Sequence, residues 1–303
     1  MSEAATGSEP RANSAPPRLP QQQAPWTENI GPGSWWLPEA LWARIAALLP
    51  PPPSHDRGGR PRCDDYPIAC GIFYLLRTGC QWKALPRCFG APSTVHARFQ
   101  QWVKAGLTLR LWQAGLIAYD GARGIAWDWQ SMDGAMTKAP LGGPATGPNP
   151  TDRGKSGTKR SLLTDGRGQP LGLAVAGANT NDHLLTAATL DSIPVPRPQP
   201  TAAEPQNLCL DKGYDYDRVR QAAGERDYTL HLRTRGEEIR EKRTIPGHRP
   251  RRWVVERTHS WINRFRRLLV RWEKKAENYC AMLHLAFAYH LLRAAHGKPA
   301  HAA

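Results

Sequence analysis

The stretch Lys159-Arg-Ser-Leu-Leu-Thr-Asp-Gly-Arg-Gly-Gln-Pro-Leu-Gly-Leu-Ala-Val-Ala176 holds two apolar runs, 159–164 and 171–176, around Asp165-Gly-Arg-Gly168. Two strand-length runs on either side of a Gly-containing turn predict a β-hairpin. Upstream, residues 125–132 form an apolar and aromatic run that Asp133 and Gly134 close, which predicts a strand ending at an Asp-Gly turn. In this part of the chain, three strands therefore come before any helix. Downstream the pattern predicts a helix over 183–190 capped by Asp182, a Pro-rich loop to Gln206 and a strand closed by Asp211. A short helix over 216–223 follows, then a strand over 228–233 with Tyr228, Leu230 and Leu232 on one side.

Residues 249–275 read RPRRWVVERTHSWINRFRRLLVRWEKK, a helix-period segment in which Glu256 sits among ten Arg and Lys. At about 100° per residue, Val254, Trp261, Ile262, Phe265, Leu268, Leu269 and Trp272 share one arc. Glu256 projects the other way, with Arg252, His259, Asn263 and Arg267. Two readings are open: a solvated Glu paired with Arg252, or a metal-binding carboxylate presented to a polyanion. Asp133 and Asp211, at the ends of two strands, supply two further acids. Mg2+ is held by one or two carboxylates plus substrate phosphate oxygens, and two ions about 4 Å apart suit phosphodiester chemistry. Taken alone, Asp-Gly and Asp-Lys-Gly are also ordinary strand-ending turns.

A formal net charge of +15 over 303 residues favours a phosphate backbone or an anionic membrane as partner. No apolar stretch approaches the roughly 18 residues a spanning helix needs, and the first residues lack the basic-then-apolar order of a secretory signal. Membrane is therefore the weaker option. The six Cys (Cys63, Cys70, Cys80, Cys88, Cys209, Cys280) make no C-x-x-C pair, which speaks against a zinc module or disulfide scaffold and for a reduced, cytoplasmic chain.

Residues 1–34, rich in Ser, Ala, Pro, Gln and Gly, predict a disordered tail. A helix carrying Leu41, Ile45, Leu48 and Leu49 then ends at Pro50 to Pro53, followed by a basic linker over 54–63. Asp64-Asp65 caps a second helix that stops at Thr78-Gly79. Ser93 caps a third, with Val95, Phe99, Trp102 and Val103 inward and His96, Arg98, Gln100, Gln101 and Lys104 on other faces. Helix, Gly-containing connection and polar-faced helix outline a helix-turn-helix, although the connection over 80–91 is long and a plain bundle would look much the same. A fourth helix over 107–119 leads to the strands. Residues 276–295 are apolar nearly all round, which predicts a buried helix.

Several of these strings, in this order, resemble one family. Pro148-Asn-Pro-Thr-Asp-Arg-Gly-Lys-Ser-Gly-Thr-Lys-Arg160, Leu210-Asp-Lys-Gly-Tyr-Asp215, Val255-Glu-Arg-Thr258 with Trp261 and Arg266-Arg-Leu268, and the upstream Gly59-Arg-Pro-Arg62, Leu76-Arg-Thr-Gly-Cys-Gln-Trp82 and Leu85-Pro86 look like bacterial DDE insertion-sequence transposases of the insertion sequence 5 group. The resemblance covers about residues 35–294. It implies an α/β ribonuclease-H-like catalytic domain, a mixed sheet flanked by helices, over 119–294. A small all-α, helix-turn-helix-like DNA-binding domain over 35–118 would precede it, with a flexible tail over 295–303. It also implies Asp133, Asp211 and Glu256 as catalytic and metal-binding residues, with two Mg2+ ions that Mn2+ can replace. The expected activity is cleavage at insertion-sequence ends and strand transfer into target DNA.

The partners so implied are double-stranded DNA, as terminal inverted repeats and target, and a second copy of the chain on DNA, in the bacterial cytoplasm at the nucleoid. Arg252, Arg257, Asn263, Arg264, Arg266 and Arg267 would contact DNA, with Lys159 and Arg160 as a second cluster. In the related Tyr, Arg, Glu, Lys signature, Arg252 matches the Arg, while Arg249 stands for the Tyr and Asn263 for the Lys, a position where Asn offers phosphate no point charge. A non-catalytic DNA-binding regulator, or a nuclease of the same fold, would share the charge and the fold.

Overall fold

The structure, a computed structural model, describes residues 36–52, 62–233, 240, 243–244 and 251–297. The expected tail over 1–34, most of the basic linker and residues 298–303 lie outside the described residues. β1 (Trp129–Lys138) is the central strand. The hairpin forms as the sequence predicts, β3 (Ser156–Thr164) and β4 (Pro170–Gly177) running antiparallel, with β3 antiparallel to β1. Its turn is built on a shielded carboxylate: Asp165 accepts from the backbone N–H of Ala126 (3.2 Å), Arg167 (2.9 Å) and Gln169 (2.7 Å). On the other side of β1 lies β5 (Gln206–Asp211), then β6 (Tyr228–Arg233), both parallel. β2 (Gly147–Pro148) pairs with the start of β3. The order β4-β3-β1-β5-β6, antiparallel in its first three strands and parallel afterwards, is ribonuclease-H-like.

α5 (Thr186–Asp191), packed with α6 (Asp217–Gly224), covers one face, where Thr189 bonds Ser161 at 2.8 Å. α7 (Trp253–Ile262) covers the other, where Ser131 donates to the Arg251 carbonyl at 2.9 Å. The helical leader consists of α1 (Glu39–Leu48), α2 (Asp65–Thr78), α3 (Pro92–Lys104) and α4 (Leu107–Arg123). Asp64 caps α2 by accepting from Tyr66 N–H, and Gly79 ends it at φ 70°, a left-handed conformation that favours glycine. α9 (Ala276–Ala295) is buried nearly all round, as its composition predicts, and packs on α4. Gly115 makes that approach possible, because a Cβ there would lie 3.3 Å from Leu291. Trp112 Nε1 donates to the Pro170 carbonyl at 3.0 Å, so leader and sheet share one continuous core.

Several expectations need correction. β1 begins later than residue 125 and runs on through Asp133 and Gly134 to Lys138, because β3 pairs with it along that whole length; the Asp-Gly pair is strand and not turn. α3 starts at Pro92 with Ala91 before it, and Ser93 makes no cap. Arg98, expected on an outward face, is buried in an ion pair with Asp65 of α2. Asp182 caps nothing: it opens a single 3-10 turn (Asp182–Leu184) and pairs with Lys159.

Residues 249–275 are not one helix. After α7 the chain turns, forms the short α8 (Arg266–Leu269), and Val270 bridges to Lys138 at the end of β1. Arg271 forces the break. Its guanidinium is 1% exposed and donates to the carbonyls of Pro144, Ala145, Glu273 and Lys274 and to Thr158 Oγ1, partners that a straight helix could not reach. Leu269 and Trp272, expected on the apolar arc, are exposed in consequence.

His284 on α9 stacks against Trp112, ring centroids 5.2 Å apart, and burial pushes it down to about 4. A folded pKa below the unfolded value of about 6.5 means that its contribution is present above pH 6.5 and is lost as pH falls through 4, about 3 kcal/mol in all. Urea melts of wild type and His284→Leu between pH 7 and pH 4 should show the acid loss of stability to be smaller in the variant by that amount.

Candidate active site

The ribonuclease-H-like sheet carries its acids on three elements. Asp133 stands in mid-β1 opposite Leu162, and its carboxylate accepts from Gly134 N–H at 2.8 Å. It is pushed up to about 6, first by burial and then by the charges of Asp211, Glu256 and Asp182, against the pull of that hydrogen bond. Asp211 and Glu256, the other two acids expected from the sequence, thus add to an effect that burial leads. Asp211 ends β5, as predicted, and its Oδ1 is shielded from solvent without a hydrogen-bond partner. Glu256 projects from α7 into solvent and pairs with Arg252, the first of the two sequence readings of this Glu.

Two neighbours were not singled out for the site from the sequence. Asp182 lies on the α5 face against Gly134, where any Cβ would collide with Asp182 Oδ1. Its Oδ2 bonds Lys159 Nζ at 2.8 Å. Tyr214, three residues after Asp211, is 1% exposed, and its hydroxyl is held well above its ordinary value by burial and by Asp182, Asp133 and Asp211. The signal for both was present: Asp182 and the Asp211-Lys-Gly-Tyr214 string both follow sheet strands, where loops carry sites.

The expected DNA-contacting cations separate into two groups. Lys159, Arg160 and Arg267 are buried, which corrects their reading as phosphate contacts. Lys159 is held by Asp182. Arg160 donates to His259 Nδ1 (3.3 Å) and Asn263 Oδ1 (2.5 Å). Arg267 donates to Glu273 (2.7 Å) and to the Cys80 carbonyl (3.0 Å), tying α8 to the leader. His259, expected beside Glu256 on the polar face, is buried too. Arg257 is half-buried between the rings of Trp253 and Trp261, 4.4 and 4.7 Å from their centroids, and donates to the Arg167 carbonyl at 2.9 Å. Arg264, Arg266 and Asn263 are exposed, and Arg252 is half-buried beside Glu256.

Carboxylate oxygens are the hard donors that Mg2+ takes. A shielded, unpartnered Asp211 oxygen and a carboxyl raised first by burial and then by its acidic neighbours are a donor set that fits such an ion. As the side chains stand, no three acids, His or Cys among the described residues converge closely enough to enclose one, and Glu256 is paired with Arg252.

The sheet order and its acids place the chain among ribonuclease-H-like nucleic-acid enzymes. Residues 120–291 match the "Transposase DDE domain" family and residues 37–112 match "Putative transposase of IS4/5 family". The chain belongs to the DDE transposase family. Among relatives, it is 41% identical over 150 residues to the "Putative transposase for insertion sequence element IS402" of Burkholderia cepacia, covering 48% of this chain and 67% of that one. It is 30% identical over 118 residues to the "Insertion element IS402 uncharacterized 16.2 kDa protein" of the same organism, covering 38% and 80%. Among solved structures, the catalytic domain of the Mos1 mariner transposase is 10% identical, covers 63% of this chain and 94% of that one, and gives a TM-score of 0.26.

The two groups of cations should behave differently. Arg267→Ala leaves Glu273 charged in the interior and should cost about 3 to 5 kcal/mol of stability, without altering the salt dependence of DNA binding. Arg266→Ala should leave the melt in place and lower the slope of log affinity against log salt by about 0.9 for a lost phosphate contact. Denaturant melts and binding titrations from low to moderate salt measure both.

Proposed function

We propose that Asp133, Asp211 and Glu256 together hold two Mg2+ ions, with Mn2+ able to replace them, and that the chain cuts DNA at insertion-sequence ends and joins the freed end to target DNA. The observation that supports this reading is the carboxyl of Asp133, raised first by burial and then by Asp211, Glu256 and Asp182, in a site that offers Asp211 Oδ1 no donor. The ions, when bound, would activate the attacking oxygen and stabilise the leaving one. The chain's own residues orient and neutralise. β1 and β5 hold two carboxylates on a rigid sheet, and α7 brings a third, exposed one that turns from Arg252 when a cation competes for it. Arg252, once released, stands beside the site with Arg264 and Arg266 as the cations that would hold the phosphate backbone. The leader helices would read terminal repeats through the exposed side of α3, which carries Gln101 and Lys104. Pairing two ends calls for a second copy of the chain, in the cytoplasm at the nucleoid. Among the described residues no helix is long and apolar enough to cross a membrane.

Glu256→Gln tests the reading. The residue is 47% exposed by side chain, and an exposed ion pair is worth at most about 1 kcal/mol, so the thermal melt should hardly move. Mg2+-dependent cleavage of a repeat-bearing duplex should fall about a thousandfold. A variant that cuts at the wild-type rate would remove Glu256 from the site.

A further inference from the structure

The buried side of α7 is fastened to the sheet by polar bonds along its whole length. Ser131 Oγ donates to Arg251 O at 2.9 Å, Thr258 Oγ1 to Gly168 O at 2.8 Å, His259 Nε2 lies 3.3 Å from the carbonyl oxygen of Asp133, and Arg160 reaches both His259 Nδ1 and Asn263 Oδ1. A guanidinium only donates. The Nδ1 of His259 must therefore be the bare, accepting nitrogen, and the single ring proton sits on Nε2, facing the Asp133 carbonyl. The tautomer follows from the chemistry of Arg160 alone.

Arg160 is a costly way to fill this space. It is 2% exposed, and its two hydrogen-bond acceptors are neutral groups, so its burial lacks the compensation that a carboxylate would bring. A Leu or Met would pack there without that cost. What the guanidinium supplies is direction: it selects the tautomer and joins β3 to α7 across Asn263. His259 lies one helical turn after Glu256, so the bond from its ring to Asp133 connects the strand that carries one carboxylate to the helix that carries another.

We propose that Arg160 and His259 are positioning residues, Arg160 holding His259 as the Nε2–H tautomer and His259 setting the spacing between β1 and the helix of Glu256. The proposal rests on the reading of Asp133 and Glu256 as metal ligands. Partners of this kind, one bond removed from a metal ligand, change metal affinity by about 10- to 100-fold.

The test uses the full-length protein without DNA. 15N spectra of histidine-labelled protein, with the His259 signal assigned by its absence in His259→Gln, should show the Nε2–H form. Mn2+ titration followed by electron paramagnetic resonance should show binding about 10- to 100-fold weaker in His259→Leu. His259→Gln can accept from Arg160 and donate to Asp133, and it should recover most of that loss. An Nδ1–H tautomer, wild-type Mn2+ affinity in a folded His259→Leu, or a Gln variant as weak as Leu would each overturn the proposal. Should the Leu variant fail to fold, the tautomer and the Gln variant decide. Glu256→Gln in the same titration separates the two failures: wild-type Mn2+ binding there sinks the triad, whereas lost binding there with intact binding in His259→Leu sinks only the positioning role.

Discussion

Burial of Asp133, with other acids near it, is the constraint on which the candidate site depends. Asp133 feels Asp211, Glu256 and Asp182 at once, in surroundings where charges interact more strongly than in water. A flexible chain would relieve the strain by moving the acids apart. Here the acids cannot withdraw: Asp133 is fixed by the antiparallel pairing of β1 with β3, Asp211 by the parallel ladder of β5 and β6, and α7 by its polar bonds to the sheet. On the proposed reading, the fold holds together acids that a divalent cation would satisfy, and this would link its topology to metal-dependent phosphodiester chemistry.

The cations are distributed by a complementary logic. A net charge of +15 suggests a surface painted with Arg and Lys, yet several of the cations nearest the site are interior struts. Arg271 gathers four carbonyls and a hydroxyl, Arg267 neutralises Glu273 and grips the Cys80 carbonyl of the leader, and Lys159 neutralises Asp182. Arg serves here because its planar fork of donors can satisfy several acceptors at once. Arg264 and Arg266 are among those exposed. Arg267 therefore couples the leader to the end of the Glu256 segment through a packed ion pair.

Elements whose signals are local were legible in the sequence. The hairpin, the Asp64 cap and Gly79 stop of α2, the β5 strand ending at Asp211, β6 and the apolar α9 all follow from turn chemistry and periodicity over a few residues. Asp133, Asp211 and Glu256 could be picked out in the same way, as candidates. The misreadings share a cause, which is that tertiary partners overrode a local signal. Gly134 looked like a turn and is a strand residue kept small by Asp182. The 249–275 segment has helical periodicity throughout, but Arg271 has its partners at the sheet edge, and the chain bends to reach them. Projecting a straight helix placed Arg267 and His259 beside Glu256 in solvent, whereas packing on β1, β3 and the leader turned both inward. Asn263 could not be understood alone, because its partner, Arg160, is on a distant strand.

A change of ligand hardness tests the central claim most directly. Replacing Asp211 by Cys exchanges a hard oxygen for a soft sulfur that Mg2+ accepts poorly and Mn2+ tolerates better. If Asp211 touches the ions, Asp211→Cys should lose Mg2+-dependent cleavage of repeat-end DNA and regain a substantial part of it in Mn2+. Cleavage by the Cys variant that is as fast in Mg2+ as the wild type would contradict the account, because Asp211 would then have no part in holding the metal.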